Sequence, residues 1–234
     1  RQADTIPMLE CARLRLTHAS VRERVLDGSQ ADGAARDSDR AGEVGIIRAL
    51  GIVLFPFLMG LTCQTQIWPW LAIPLPPFGV PLTLQTLWVL LCALSIGPRW
   101  GMLSMVGYLL VGALGVPLFS EGSAGVVTIF GQTGGYLLGF VVCQPVIARI
   151  VRRSDGSVRG WGAMILAVLA GHAVIFAIGV PWLYLVRRFD GEAITLGRAF
   201  YGGFVVFIPA MLLKSGIAVI IGRWAAPLAS RSIW

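Results

Sequence analysis

Four long stretches of the chain, residues 49–98, 100–120, 122–148 and 160–186, contain no Asp, Glu, Lys or Arg. A hydrocarbon core of about 30 Å is crossed by about 20 apolar helical residues, so each of the three shorter stretches holds one span. The first is too long for that. As a single helix at about 1.5 Å per residue it would run about 75 Å, so the chain turns inside it, and Pro69, Pro74, Pro76, Pro77 and Pro81 mark the place. A last apolar stretch, 199–221, is interrupted only by Lys214. The pattern therefore predicts six membrane helices, at 45–68, 83–97, 100–115, 132–150, 160–184 and 199–222. The alternating segments of about ten residues that build a transmembrane β-barrel do not occur in the sequence, so the predicted fold class is an all-α integral membrane protein. The span at 100–115 is short, which predicts that the glycine-rich 115–131 segment is partly embedded. Irregular backbone survives at that depth only where protein shields it or it lines a cavity. Residues 1–43 are polar, with 27–42 read as disordered and 9–26 as at most a surface amphipathic helix. The predicted organisation is a polar segment 1–43 followed by a membrane domain 44–234.

Composition agrees with the pattern. Hydrophobic residues make up 56% and charged residues 13%, where a soluble domain carries about a quarter charged. The formal charge of +7 would suggest a nucleic-acid partner in a soluble protein, but its distribution excludes that reading. Arg48, Arg99, Arg149, Arg152, Arg153, Arg159, Arg223 and Arg231 sit at span ends. With both termini cytoplasmic, all eight fall on one side of the bilayer, as the positive-inside rule requires. The cysteines, Cys11, Cys63, Cys92 and Cys143, contain no C-x-x-C pair and read as small buried hydrophobes rather than as disulfides or metal ligands. No cofactor or metal site is expected.

Candidate chemistry is sparse. Lys214 is the single lysine of the chain and lies in an otherwise uncharged span, where it costs from about 2.5 kcal/mol upward unless it meets a partner or water. It sits too deep for easy snorkelling, which favours an anionic ligand group or Glu121 as its partner. Gly131, Gly135 and Gly139 recur every four residues, a bare helix face suited to close helix packing or to docking of another membrane subunit. The apolar loop 68–82 carries Trp68 and Trp70, which suit either a membrane interface or a lid over a cavity. Thr83 is placed to cap the following helix, and Gln85, one turn deeper, to hydrogen-bond a ligand. His172 reads as a hydrogen-bonded packing residue rather than a proton relay. Ser123 fits no hydrolase motif, and the chain has no G-x-x-x-x-G-K-[ST] phosphate loop. The chain is therefore predicted to be neither an enzyme nor an ATP motor of that class.

Several stretches in order then resemble one family. They are Pro74-Leu75-Pro76 with Val80-Pro81-Leu82-Thr83-Leu84-Gln85-Thr86-Leu87, then Gly97-Pro98-Arg99-Trp100-Gly101, and Tyr108-Leu109-Leu110-Val111-Gly112 with Gly115-Val116-Pro117-Leu118-Phe119. Gly131-Gln132-Thr133-Gly134-Gly135-Tyr136, Gly179-Val180-Pro181-Trp182-Leu183 and Phe207-Ile208-Pro209-Ala210-Met211-Leu212-Leu213-Lys214 complete the set. Together they resemble the BioY family, the biotin-binding membrane subunits (S components) of energy-coupling factor (ECF) transporters.

The resemblance implies a six-helix S-component bundle in a prokaryotic inner membrane that captures biotin from outside. It also implies partners, a transmembrane coupling subunit and two ATPase subunits that topple it within the bilayer. The substrate-binding residues it leads us to expect are Thr83, Gln85, Tyr108, Glu121, Tyr136 and Lys214, beneath a lid containing Trp68 and Trp70. Three positions depart from the family pattern. Ala210 and Met211 stand where Gly and Asp are usual, and Gln132 where proline is usual. The missing acid, one turn before the lysine, would weaken or redirect ligand binding unless Glu121 compensates. The alternatives are an S component retuned for another small carboxylated vitamin, and a membrane scaffold, which would not need Lys214.

Overall fold

The computed structural model describes residues 42, 45–64, 72–153 and 157–228. The chain divides into two units, residues 1–46 and 47–234, and apart from the first two residues of the first helix every element below lies in the second. Trp68, Trp70, Cys11 and residues 27–41 of the stretch expected to be disordered lie outside the described residues.

Helix α1 covers Gly45–Leu61. A two-stranded antiparallel hairpin follows, β1 (Ala72–Leu75) and β2 (Val80–Thr83), with Pro74 opposite Pro81. Neither proline offers an N–H, which suits a ribbon that no further strand extends among the described residues. This hairpin departs from the all-α expectation. Helix α2 then runs Gln85–Ala113, interrupted at Gly97, whose φ of 85° lies in the left-handed region. Glycine enters that region without the steric cost of a Cβ, and Pro98 bars its predecessor from continuing a helix. The interruption is a reversal. On one straight helix Gln85 and Tyr108 would stand roughly 34 Å apart, yet their side chains are hydrogen-bonded. Residues 85–96 and 98–113 are thus two antiparallel arms and supply the second and third predicted spans.

Helices α3 (Val126–Phe130), α4 (Gly134–Val151) and α5 (Trp161–Phe189) come next. The last predicted span is in two pieces, a short α6 (Leu196–Gly203) and α7 (Ile208–Leu228), separated by a 3-10 turn at Val205–Phe207. Thr195 caps α6 by accepting from the Arg198 N–H at 3.3 Å. With α1, the two arms of α2, α4, α5 and α7, the six expected membrane helices are present among the described residues.

α4 packs along α5 because Gly139 brings the backbones together: a Cβ there would stand 2.8 Å from the Ile175 Cα. Gly135 is likewise closed off by Trp182, whose indole N–H donates to the Gly131 carbonyl at 2.9 Å. Gly131 itself precedes α4 and caps α3, so the three-glycine helix face shortens to two positions, both buried inside the protein. Gln144 on α4 donates to the Val89 carbonyl of the first α2 arm at 3.1 Å, and Ser104 on the second arm donates to Ile52 of α1 at 3.1 Å. Large apolar side chains such as Leu110, Val142, Leu166, Leu213 and Ile220 face outward, an arrangement that lipid solvates and water does not. Cys63, Cys92 and Cys143 are buried free thiols, as small hydrophobes should be.

The two ends of the bundle differ. Arg48 lies over the Trp100 ring and Arg223 over the Trp161 ring, placing the helix ends of α1, the second α2 arm, α5 and α7 together at a basic end. The hairpin and the start of the first α2 arm, of α4 and of α7 form the other.

Candidate functional site

At that second end a cavity opens among β2, the first arm of α2, α4, α5 and α7. The space between these elements, its open mouth included, is about 580 Å³. Tyr136, Phe140, Ile175, Phe176 and Phe207 form its apolar wall. Phe176 is central, meeting Tyr136 edge-on at 6.0 Å and Phe204 at 4.9 Å, and stacking on His172 at 6.3 Å. A second, larger groove between α5 and α6 is lined only by apolar residues and Gly197; with no polar group to orient a ligand, it is the weaker candidate.

Lys214 is the one charged residue among those lining the cavity. It lies six residues into α7, is 7% exposed, and its ammonium donates to the Thr83 carbonyl at 3.1 Å. The amine that the sequence singles out is therefore buried, tied to the hairpin, and presented to an empty space. Thr83 and Gln85 also line the cavity. The Thr83 hydroxyl and the Ser120 hydroxyl both donate to Gln85 Oε1, at 3.1 and 3.2 Å. Gln85 Nε2 donates to the Tyr108 hydroxyl, which in turn donates to the Leu118 carbonyl at 2.9 Å. Gln85 is the centre of a network, with its carbonyl oxygen already holding two donors.

Tyr108 is fully buried behind Gln85 and meets Phe119 edge-on at 5.4 Å; it does not line the cavity. Its place is to hold Gln85 and the 115–123 segment. That segment is anchored by Phe119, 1% exposed, while Val116 within it and Val127 and Phe130 in the following α3 are exposed. Tyr136 lines the cavity with its ring, while its hydroxyl donates to the Gly203 carbonyl at 2.8 Å. Glu121 is displaced from the expected position. In the tight turn Ser120–Gly122, with Glu121 at a φ of 61°, the Ser120 side chain points in toward Gln85 and Glu121 is left exposed, outside the cavity lining. It is not the partner of Lys214.

Sequence reasoning missed most of the α5 contribution. His172, Ile175 and Phe176 line the cavity together, and their i, i+3, i+4 spacing was the available signal. Met211 lines the cavity one turn before Lys214, so the residue that departs from the family pattern faces the site. Arg187 stands outside the cavity lining, against the hairpin turn. It lies over the Phe78 ring at 5.1 Å, donates to the Phe78 carbonyl at 2.8 Å and to Gln132 at 2.6 Å, and pairs with Glu192. The guanidinium thus joins the hairpin turn, the start of α4 and the α5–α6 connection.

The likeness to known proteins follows the same lines. The chain is 40% identical over 144 residues to a probable biotin transporter BioY of Pyrococcus horikoshii, covering 62% of this chain and 79% of that one. It is 34% identical over 152 residues to the biotin transporter BioY of Thermotoga maritima, covering 65% and 83%. Its fold resembles the crystal structure of the S-component for biotin from an ECF-type ABC transporter, with a TM-score of 0.66, 21% identity, and coverage of 76% of this chain and 90% of the other. The model of the BioY family matches residues 44–231. With that match running from the first membrane helix to the last, the chain belongs to the BioY family.

Proposed function

We propose that this protein is the biotin-capturing subunit of an ECF-type uptake system, with the cavity between the hairpin and α7 as its binding site. The observation that carries the reading is Lys214: a buried ammonium in the lining of an aromatic-walled cavity that is otherwise uncharged among the described residues, in a chain whose relatives are named biotin transporters. Biotin has an apolar bicycle and chain, a carboxylate, and a cyclic urea. Phe176, Phe207, Tyr136 and Phe140 supply the surface on which the apolar part packs, and burial of apolar area drives that contact. Lys214 supplies the charge-assisted bond for the carboxylate. The hairpin covers the mouth, held by Arg187. The substrate-binding set is thus Thr83, Gln85, Tyr136 and Lys214, with Tyr108 acting through Gln85.

The sequence carries no phosphate loop, and in this reading the energy for transport is supplied by partners, a transmembrane coupling subunit and two ATPases. The basic end of the bundle faces the cytoplasm, by the positive-inside rule, and the cavity faces outward. Met211 in the cavity wall favours a second reading, a related carboxylated vitamin as ligand, but the names of the relatives favour biotin. Isothermal titration of the detergent-solubilised protein with biotin tests the proposal. Saturable one-site binding, absent with a vitamin lacking a carboxylate, is expected; no binding of biotin overturns it.

A further inference from the structure

The cavity's polar groups divide unevenly once their hydrogen bonds are assigned. Lys214 only donates, Gln85 Oε1 already accepts from two hydroxyls, and no carboxylate lines the space. His172 is 1% exposed and lines the same cavity. Its Nδ1 lies 3.1 Å from the Val168 carbonyl and 3.2 Å from the Ser215 hydroxyl. A carbonyl oxygen can only accept, so Nδ1 carries the hydrogen in the neutral ring and Nε2 presents a lone pair. A ring protonated at both nitrogens would place a second cation beside Lys214 with no carboxylate to balance it. Nε2 is buried and has no hydrogen-bond partner among the described residues. A buried acceptor left unmade is costly, and buried polar groups without partners call for an explanation.

We propose that His172 is a specificity-determining residue whose Nε2 accepts a hydrogen bond from a ligand N–H. This rests on the biotin reading above, in which the donor is an N–H of the cyclic urea. The position suits the role. Ser215, one turn beyond Met211 on α7, touches the ring from one side, and Phe176 stacks on it from another. The ring is thereby held with Nε2 free, and the Lys214 ammonium belongs to the same wall. A ligand that carries both an anion and an N–H can satisfy both groups, whereas a carboxylated vitamin without such an N–H leaves Nε2 unpaired.

The chain has two histidines, so uniform 15N labelling of histidine gives two imidazoles, and His172→Gln identifies the one in question. In the full-length detergent-solubilised protein, the Nε2 resonance should be of the unprotonated type and should move on addition of biotin. His172→Phe, which keeps the ring volume but no acceptor, should weaken biotin binding by about ten- to a hundredfold, and His172→Gln should recover part of the loss through its amide oxygen. An Nε2 that carries a proton, or that stays unmoved under saturating biotin, overturns the proposal even if His172→Phe fails to fold. So does a His172→Phe variant that binds biotin as tightly as the wild type. These outcomes leave the biotin reading intact, whereas failure of the wild type to bind biotin removes both.

Discussion

Replacing Lys214 by Met keeps the length of the side chain and removes its charge, which isolates what the ammonium does in the cavity. Two interactions are lost. The first is the charge-assisted bond to the Thr83 carbonyl, worth about 1.5–3 kcal/mol of stability and read as a loss in thermal midpoint without ligand. The second is the pairing with the ligand carboxylate. Because Lys214 is 7% exposed and no other charged residue lines the cavity, no neighbouring cation replaces it and water replaces it poorly. Removing one partner of such a buried, hydrogen-bonded pair costs about 2–5 kcal/mol, or roughly 30- to 4,000-fold in Kd. The assay is a thermodynamic cycle by titration calorimetry, wild type and Lys214→Met against biotin and biotin amide, the second lacking the negative charge. The wild type should prefer biotin by the full factor, and the variant should bind the two ligands within about threefold of each other, because the pairwise term has vanished. A variant that still prefers the carboxylate would show that another group holds it and would refute the assignment of Lys214.

Three further outcomes are expected. Arg187→Ala removes both bonds that tie the hairpin turn to α4 and the stacking on Phe78, so biotin should dissociate about tenfold faster or more in stopped-flow chase, about 1.4 kcal/mol; an unchanged rate would mean that the hairpin does not cover the mouth. Tyr108→Phe leaves the Leu118 carbonyl and Gln85 Nε2 without their shared partner, at about 1–3 kcal/mol, and should lower the thermal midpoint while weakening biotin binding less than Lys214→Met does. Gly139→Leu places a side chain against the Ile175 backbone, and overpacking of about 1–3 kcal/mol should lower the thermal midpoint with Kd little altered; a neutral result would show that α4 and α5 separate easily.

Much of this protein was legible in one dimension. Whether a stretch of about twenty residues prefers hydrocarbon is decided by its own side chains, so the charge-free stretches yielded six spans, and the Gly97-Pro98-Arg99 sequence marked where the second gives way to the third. Lys214 stood out for the same reason: a lone ammonium in an apolar span must have a partner wherever the span is placed. Other features depended on neighbours that are remote in sequence. Gln85 meets Tyr108 only because the chain reverses at Gly97. Glu121 misses Lys214 because the turn at 120–122 points its side chain outward, which spacing along the chain does not encode. The hairpin was hidden by its prolines, which argue against strands unless the ribbon is an isolated pair. His172 is both the packing residue its sequence suggests, through Val168 and Ser215, and a member of the cavity wall, through the face that α5 turns to α7. Periodicity says which residues share a helix face. Only the packing of α5 against α4 and α7, permitted by Gly139, determines what that face meets.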